Sequence, residues 1–300
     1  MKTFSALLKR NIKLFFNDKG LFFTSLITPL ILLVLYATFL KNVYLDSLKG
    51  IFAQVGVNLS DSLLNGAVGG QLLSSLLAVS TITVSFCSNM LMVQDKVSGA
   101  RNDLLISPVN RSTLALSYFV ATAISTLLIC LVATAAGLIY IAATGWYLSV
   151  LDVLLIIVDV ILLVGFGTAL SSIINYFLST QGQISAVGSI VSSCYGFICG
   201  AYMPLASFSE GLRNVLMFLP GTYGTALIRN HTLNGVIKQM NSDGLPEQAV
   251  KAFKDAIDCN IYFFDNQVSV TAMALVTAVT VAILIGAFVL INVLGKNKKR

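Results

Sequence analysis

Apolar residues in this chain fall into long runs and do not alternate with polar ones. Leu21–Leu40 carries no charge at all, and five further runs follow at about Leu72–Val93, Leu114–Ala143, Val150–Leu178, Ile184–Tyr202 and Val268–Val293. Roughly 20 residues at about 1.5 Å rise cover the hydrocarbon core of a bilayer, so each run predicts a transmembrane helix. Barrel strands are disfavoured, because the runs exceed about 9–11 residues and lack a period of two. Ahead of the first run, a helical wheel of Met1–Lys19 gathers Phe4, Leu7, Leu8, Leu14 and Phe15 on one side, with Lys2, Lys9 and Lys13 opposite. That pattern predicts a helix lying flat in the membrane interface. A cleaved signal peptide fits less well, since the run is long for an h-region and no small-residue cleavage site follows it.

Interruptions within the runs refine the picture. Pro29 lies inside the first span and removes a backbone hydrogen bond there, which predicts a kink. Asp152 and Asp159 are seven residues apart in the fourth run and share a helical face. Asp159 is deep enough to be costly unless paired or hydrated. Gly196 and Gly200 form a small-xxx-small pattern that allows close helix contact. Between the fifth and sixth runs, residues 203–267 are more polar. In that stretch an apolar piece, Leu212–Leu219, is too short to cross and is broken by Pro220 and Gly221. Such segments predict re-entrant structure that protein or a water-filled cavity must cover. Further on, Pro246 predicts the start of a short helix carrying Val250, Phe253 and Ile257.

Composition agrees with a single helical membrane domain over 1–300. The chain is 56% hydrophobic and 11% charged, against about 25% charged in soluble domains. Its net charge of +6 does not mark a nucleic-acid surface, because the basic residues are confined to short segments between the runs. Lys2, Lys9, Arg10, Lys13 and Lys19 precede the first span. Lys96, Arg101 and Arg111 lie between the second and third, and Lys296, Lys298, Lys299 and Arg300 follow the sixth. By the positive-inside rule these segments, and with them both termini, are cytoplasmic. The longer stretches 41–69 and 203–267 then lie outside.

Catalytic chemistry is sparse. His231 is the only histidine and reads as a polar loop residue; the five cysteines have no metal-ligand spacing. No phosphate-binding loop is present, so a nucleotide used as an energy source is held by another chain. The segment 94–112, Gln94 to Arg111 above all, reads as a short helix with Leu104, Leu105 and Ile106 at its end, stopped by Pro108. Its apolar tip and mixed charges suit docking into a groove on a partner.

Taken in order, these features resemble the permease subunits of ABC transporters of the type-2 exporter superfamily over essentially the whole chain. The amphipathic start with its Pro29-containing span, the loop Asp95–Arg111, and the segment Pro204…Leu212-Arg213…Pro220-Gly221-Thr222-Tyr223 carry the resemblance. It implies an all-α fold of six spans with an N-terminal elbow helix and re-entrant helices before the last span. It implies further that the first cytoplasmic loop docks on an ATP-binding subunit through Asp95, Gly99, Arg101, Leu104, Leu105, Ile106 and Pro108. That family usually has E-x-x-x-G-T at this point. Here Gln94-Asp95-Lys96-Val97-Ser98-Gly99-Ala100 stands instead, moving the acidic role to Asp95 and replacing the threonine by Ala100. Pro204, Leu212, Arg213, Pro220, Gly221 and Tyr223 are implied as an external gate. The path is expected along the first, second and fifth spans, with Ser80, Thr81, Thr83, Ser85, Asn89 and Asp159 as lining candidates.

The resulting expectation is an export permease in a bacterial plasma membrane, paired with a second copy or a similar permease and driven by two ATP-binding subunits. ATP and magnesium would sit on those partners, and no cofactor on this chain. An amphipathic or hydrophobic cargo (drug, toxin, peptide or lipid-like molecule) suits the lining, with a lipid-linked glycan as the competitor. An ion-coupled carrier using Asp159 is the alternative from another class, and a membrane-embedded enzyme lacks a catalytic pair.

Overall fold

The computed structural model describes residues 2–294 except 55, 58 and 108, and of 37, 54 and 294 the backbone alone. The helices in chain order are α1 (Lys2–Asn17), α2 (Lys19–Leu35), α3 (Lys41–Gln54), α4 (Asp61–Val97), α5 (Ala100–Ile106) and α6 (Arg111–Thr144). Then follow α7 (Val150–Phe177), α8 (Gln181–Ile198), α9 (Glu210–Leu216), α10 (Pro220–Ser242), α11 (Glu247–Ala256) and α12 (Val270–Leu294). A π-helical turn, Tyr36–Leu40, joins α2 to α3, and a two-strand hairpin, β1 (Tyr262–Phe263) with β2 (Asn266–Gln267), precedes α12. The protein is an all-α polytopic membrane protein, with this hairpin as the only sheet among the described residues.

Five helical stretches are long and apolar enough to cross a membrane: Lys19–Ala53, Asp61–Val97, Arg111–Thr144, Val150–Phe177 and Val270–Val293. α8 covers the fifth expected run but is shorter, and Gln181, Gln183 and its serines make it less apolar than those five. The stretch 41–69, expected as a loop, is largely helical. α3 extends the first span and α4 begins at Asp61, because an amphipathic helix continues past the last apolar residue wherever its apolar side finds cover. That cover is α11, whose Phe253 stacks on Phe52 at 5.9 Å between centroids.

α4 is the hub. In its most apolar window 94% of residues are buried, against 11% in α12, so α12 is peripheral and α4 is ringed by α2, α6, α7, α8 and α10. Close approach of α7 depends on Gly167, where a Cβ would meet Ser85 Oγ and the Thr81 carbonyl oxygen at 2.8 Å. The hydroxyls along the middle of α4 turn back on their own helix: Thr81 donates to Ala78 O, Thr83 to Val79 O and Ser85 to Thr81 O.

The other helix of note is α10. Near its start Gly224 packs on Leu163, thirteen residues into α7, while Gly235 packs on the Tyr147 backbone just before α7 begins. α10 therefore enters the bundle to a depth of about 20 Å along α7 at about 1.5 Å per residue. Pro220, expected only to break the chain, occupies the first turn of this helix, where a missing N–H costs nothing. A Cβ at Gly235 would overlap the Tyr147 carbonyl outright. Gly235→Ala should thus destabilise the protein by about 1–3 kcal/mol. Thermal unfolding in detergent checks this against Gly286→Ala, where the space is open and no loss is expected.

The Gly196/Gly200 pattern does not hold two helices together. Gly200, at φ +73°, ends α8: its N–H bonds Phe197 O and the next N–H, of Ala201, bonds Gly196 O. This is a Schellman termination, which requires a left-handed residue after the cap. Gly196 makes room for the ring of Tyr202.

Candidate functional site

Two clusters of polar side chains stand out, one at each end of the bundle. At the α1 end, α4 runs into α5 through Gly99, whose φ of +84° makes the reversal. Two neighbouring residues in the last turn of α4 point in opposite directions. Asp95 faces α1 and α6: Arg10 donates to it through both terminal nitrogens, at 2.8 and 3.2 Å, and the Tyr118 hydroxyl donates as well. Asp95 raises the Arg10 guanidinium above its ordinary value, fixing the charge. Nearby, Asn11 donates to Ser117 Oγ at 3.2 Å, a second polar tie between α1 and α6. Lys96 faces the end of α7 and donates to the carbonyls of Asn175, Tyr176 and Leu178.

Of the residues expected to dock on a partner, the structure separates two groups. Asp95 is buried and already paired. Leu104 and Leu105 pack, half-buried, on a cluster of Leu7, Leu91, Met92, Leu114 and Tyr118. Ile106 is 85% exposed at the tip of α5. Arg101 is half-buried beside it. Pro108 lies outside the described residues.

At the opposite end, α10 carries a row of polar residues, each engaged by a different neighbour. Arg229, 1% exposed, donates to Asp258 at 3.3 Å, to Ser75 on α4 at 3.3 Å and to Gly200 O at 2.9 Å. Asn230 donates to Cys259 O at 2.7 Å. His231 Nδ1 meets Asp159 Oδ2 at 2.5 Å. Asn234 donates to Asp152 at 2.6 Å, and Asp152 also closes a capping box with Ser149 at the start of α7. Both acidic residues of α7 thus face α10 from one side of their helix. His231, expected in a loop, is helical and is the partner that Asp159 needs. Asp258 sits at φ +53° in the loop after α11 and accepts from Leu205 N–H at 2.9 Å. Burial pushes its carboxyl up to about 6, against the pull of Arg229 and of that N–H.

The expected gate residues gather around this end. Pro204 leads into a 3₁₀ turn, Leu205–Ser207. Arg213 lines a 370 Å³ cavity together with Asp255, Asp258 and Asn260. Leu212 is exposed on α9, Gly221 abuts the Tyr195 hydroxyl, and buried Tyr223 donates to Met217 O at 2.7 Å. The expected lining residues do not reach a surface. Ser80, Thr81, Thr83, Ser85 and Asn89 are at most 1% exposed, enclosed by the helices around α4, and Asp159 is closed off by His231. Asn89 ties α4 to α7 through Ser171 and Ser172. An open groove of about 500 Å³ lies between α2 and α8, lined by Thr28, Ile31, Leu35, Ser192, Ser193 and Phe197 among others.

The family model described as ABC-2 type transporter matches residues 2–232. The searches of curated proteins and of solved structures each return no match.

Proposed function

This chain belongs to the ABC-2 type transporter family, as the membrane-spanning permease that works with an ATP-binding subunit, and from that premise we propose that it is an export permease coupled to its motor through α5. In this reading the chain crosses six times, with α2–α3, α4, α6, α7, α8 and α12 as the spans. Both termini and α5 lie in the cytoplasm in this reading, which the positive-inside rule supports, and the membrane is a bacterial plasma membrane. α1 is the elbow on the cytoplasmic face, and α9 with α10 re-enters from outside. Two copies, or this chain and a similar permease, face each other across the groove between α2 and α8, and the path runs there. A lining of Thr, Ser, Ile, Leu and Phe suits an amphipathic or hydrophobic cargo; a lipid-linked glycan is the second choice.

One observation carries the coupling assignment. Ile106 is a large apolar side chain left 85% exposed on a helix whose root is fixed on both sides, by Asp95 and by Lys96. An exposed apolar tip on a rigid mount is what a docking contact requires.

The test separates motor from permease. Purified alone in lipid vesicles, the chain is expected to hydrolyse no ATP. Reconstituted with its ATP-binding subunit, the complex should do so. Turnover by the isolated chain at the rate of the complex would sink the division of labour proposed here. Asp159 is accounted for by His231, so no unpaired carboxylate argues for an ion-coupled carrier.

A further inference from the structure

Lys96 closes α4 with its ammonium turned inward. Nζ lies 2.9 Å from Asn175 O, 2.7 Å from Tyr176 O and 3.0 Å from Leu178 O, and 5.6 Å from the centre of the Tyr176 ring. An ammonium has three donors, and here all three have acceptors. Those carbonyls belong to the last turn of α7, where partial negative charge collects and no helical N–H remains to bond it.

The grip extends to α8. Leu178 is the C-cap of α7 and Thr180 the N-cap of α8, so residues 178–180 are the entire connection between the two helices. That connection has little slack: Gln183 accepts from the N–H groups of Ser179 and Thr180, and Thr180 Oγ1 accepts from Gln183 N–H in return. α8 packs chiefly on α4 and leaves Ser185, Ser189, Ser193 and Phe197 exposed. Its tilt is therefore set largely by α4 and by the turn that Lys96 holds. Asp95, one residue earlier, ties the same root to α1 and α6.

We infer that Lys96 is a positioning residue that passes displacement of α5 to the α7–α8 turn, and through it to α8. The inference rests on the coupling role proposed for α5. Asp95 ties the root to α1 and α6, and Lys96 links it, through the α7–α8 turn, to the helix with the open face.

A native label tests this. Cys194 on α8 is exposed while the other four cysteines are buried, so a nitroxide on Cys194 reports α8 without engineering. The permease in complex with its ATP-binding subunit is placed in lipid vesicles, and electron paramagnetic resonance spectra are taken before and after trapping ATP with vanadate. The wild-type label should change mobility. Lys96→Met should still trap nucleotide but shift roughly tenfold less of the label population. Lys96→Arg, which keeps the charge and the donors, should restore the response, a rescue that loss of packing alone does not predict. A full label response in Lys96→Met overturns the inference. Should that variant fail to assemble, Lys96→Gln, whose shorter, uncharged side chain loses the three-carbonyl grip, is read by the same criterion. A wild-type complex that traps nucleotide without any label response also overturns the inference, whereas the coupling role of α5 is tested separately, by whether Ile106→Asp weakens binding of the ATP-binding subunit.

Discussion

Arg229→Met is expected to cost about 3–5 kcal/mol, because it leaves the Asp258 carboxylate buried without its counter-charge. The guanidinium also holds Ser75 on α4 and Gly200 O at the end of α8, so three parts of the outer bundle lose a common partner. Thermal unfolding in detergent measures the effect. Arg229→Met/Asp258→Asn should cost less than Arg229→Met alone, since it removes the unpaired charge while Asn tolerates the left-handed backbone and still accepts from Leu205 N–H. A double variant as damaged as the sum of the singles would show that the pair does not act as a unit. The pH dependence has a definite sign. Asp258 in the folded protein takes up its proton near 6, above the ordinary 3.8 of the unfolded chain. The native state thus binds that proton more tightly, and the stability this contributes is present at low pH and lost as pH rises through about 6. The wild-type midpoint should therefore climb relative to the double variant between about pH 7 and about pH 5. At neutral pH the ion pair fixes where α10 sits and adds little net stability.

Ile106→Asp is expected to weaken capture of the ATP-binding subunit by about 2 kcal/mol or more, roughly 30-fold in Kd. The side chain is 85% exposed and touches little in the permease, so folding should be unaffected. Leu105→Ala is the contrasting variant. Leu105 packs against the cluster around Tyr118, and its truncation should lower the unfolding midpoint. Titration of the ATP-binding subunit onto vesicle-bound permease reads the first effect. Unchanged affinity in Ile106→Asp would move the docking contact off the tip of α5.

The long helices were legible because an uncharged run of bilayer length has few alternative readings. α10 was not. Its residues Arg229, Asn230, His231 and Asn234 give it no apolar stripe, so it reads as loop; each of those groups is satisfied by a partner distant in sequence, which no local pattern reveals. His231 and Asp159 show the same limit, since the cost of a deep carboxylate is readable but its partner is not. The burial of the expected lining residues is hidden for a different reason. Ser and Thr in a span suggest a wet surface, yet Thr81, Thr83 and Ser85 satisfy themselves on carbonyls of their own helix and sit in the core. The sequence marks Asp95 by its acidity alone; that its acceptor capacity is spent inside the subunit on Arg10 and Tyr118 is set by residues distant in the chain.

Those self-satisfied hydroxyls have a mechanical consequence. Between Ser75, held by Arg229, and Asn89, held by Ser171 and Ser172, no described side chain of α4 hydrogen-bonds a neighbouring helix. Over those turns the helices around α4 meet it only through dispersion contacts, which change gradually as surfaces shift, whereas a directional bond must break. α4 is thus built as a greased axle: smooth along its middle and pinned to α7 at the Asn89 level.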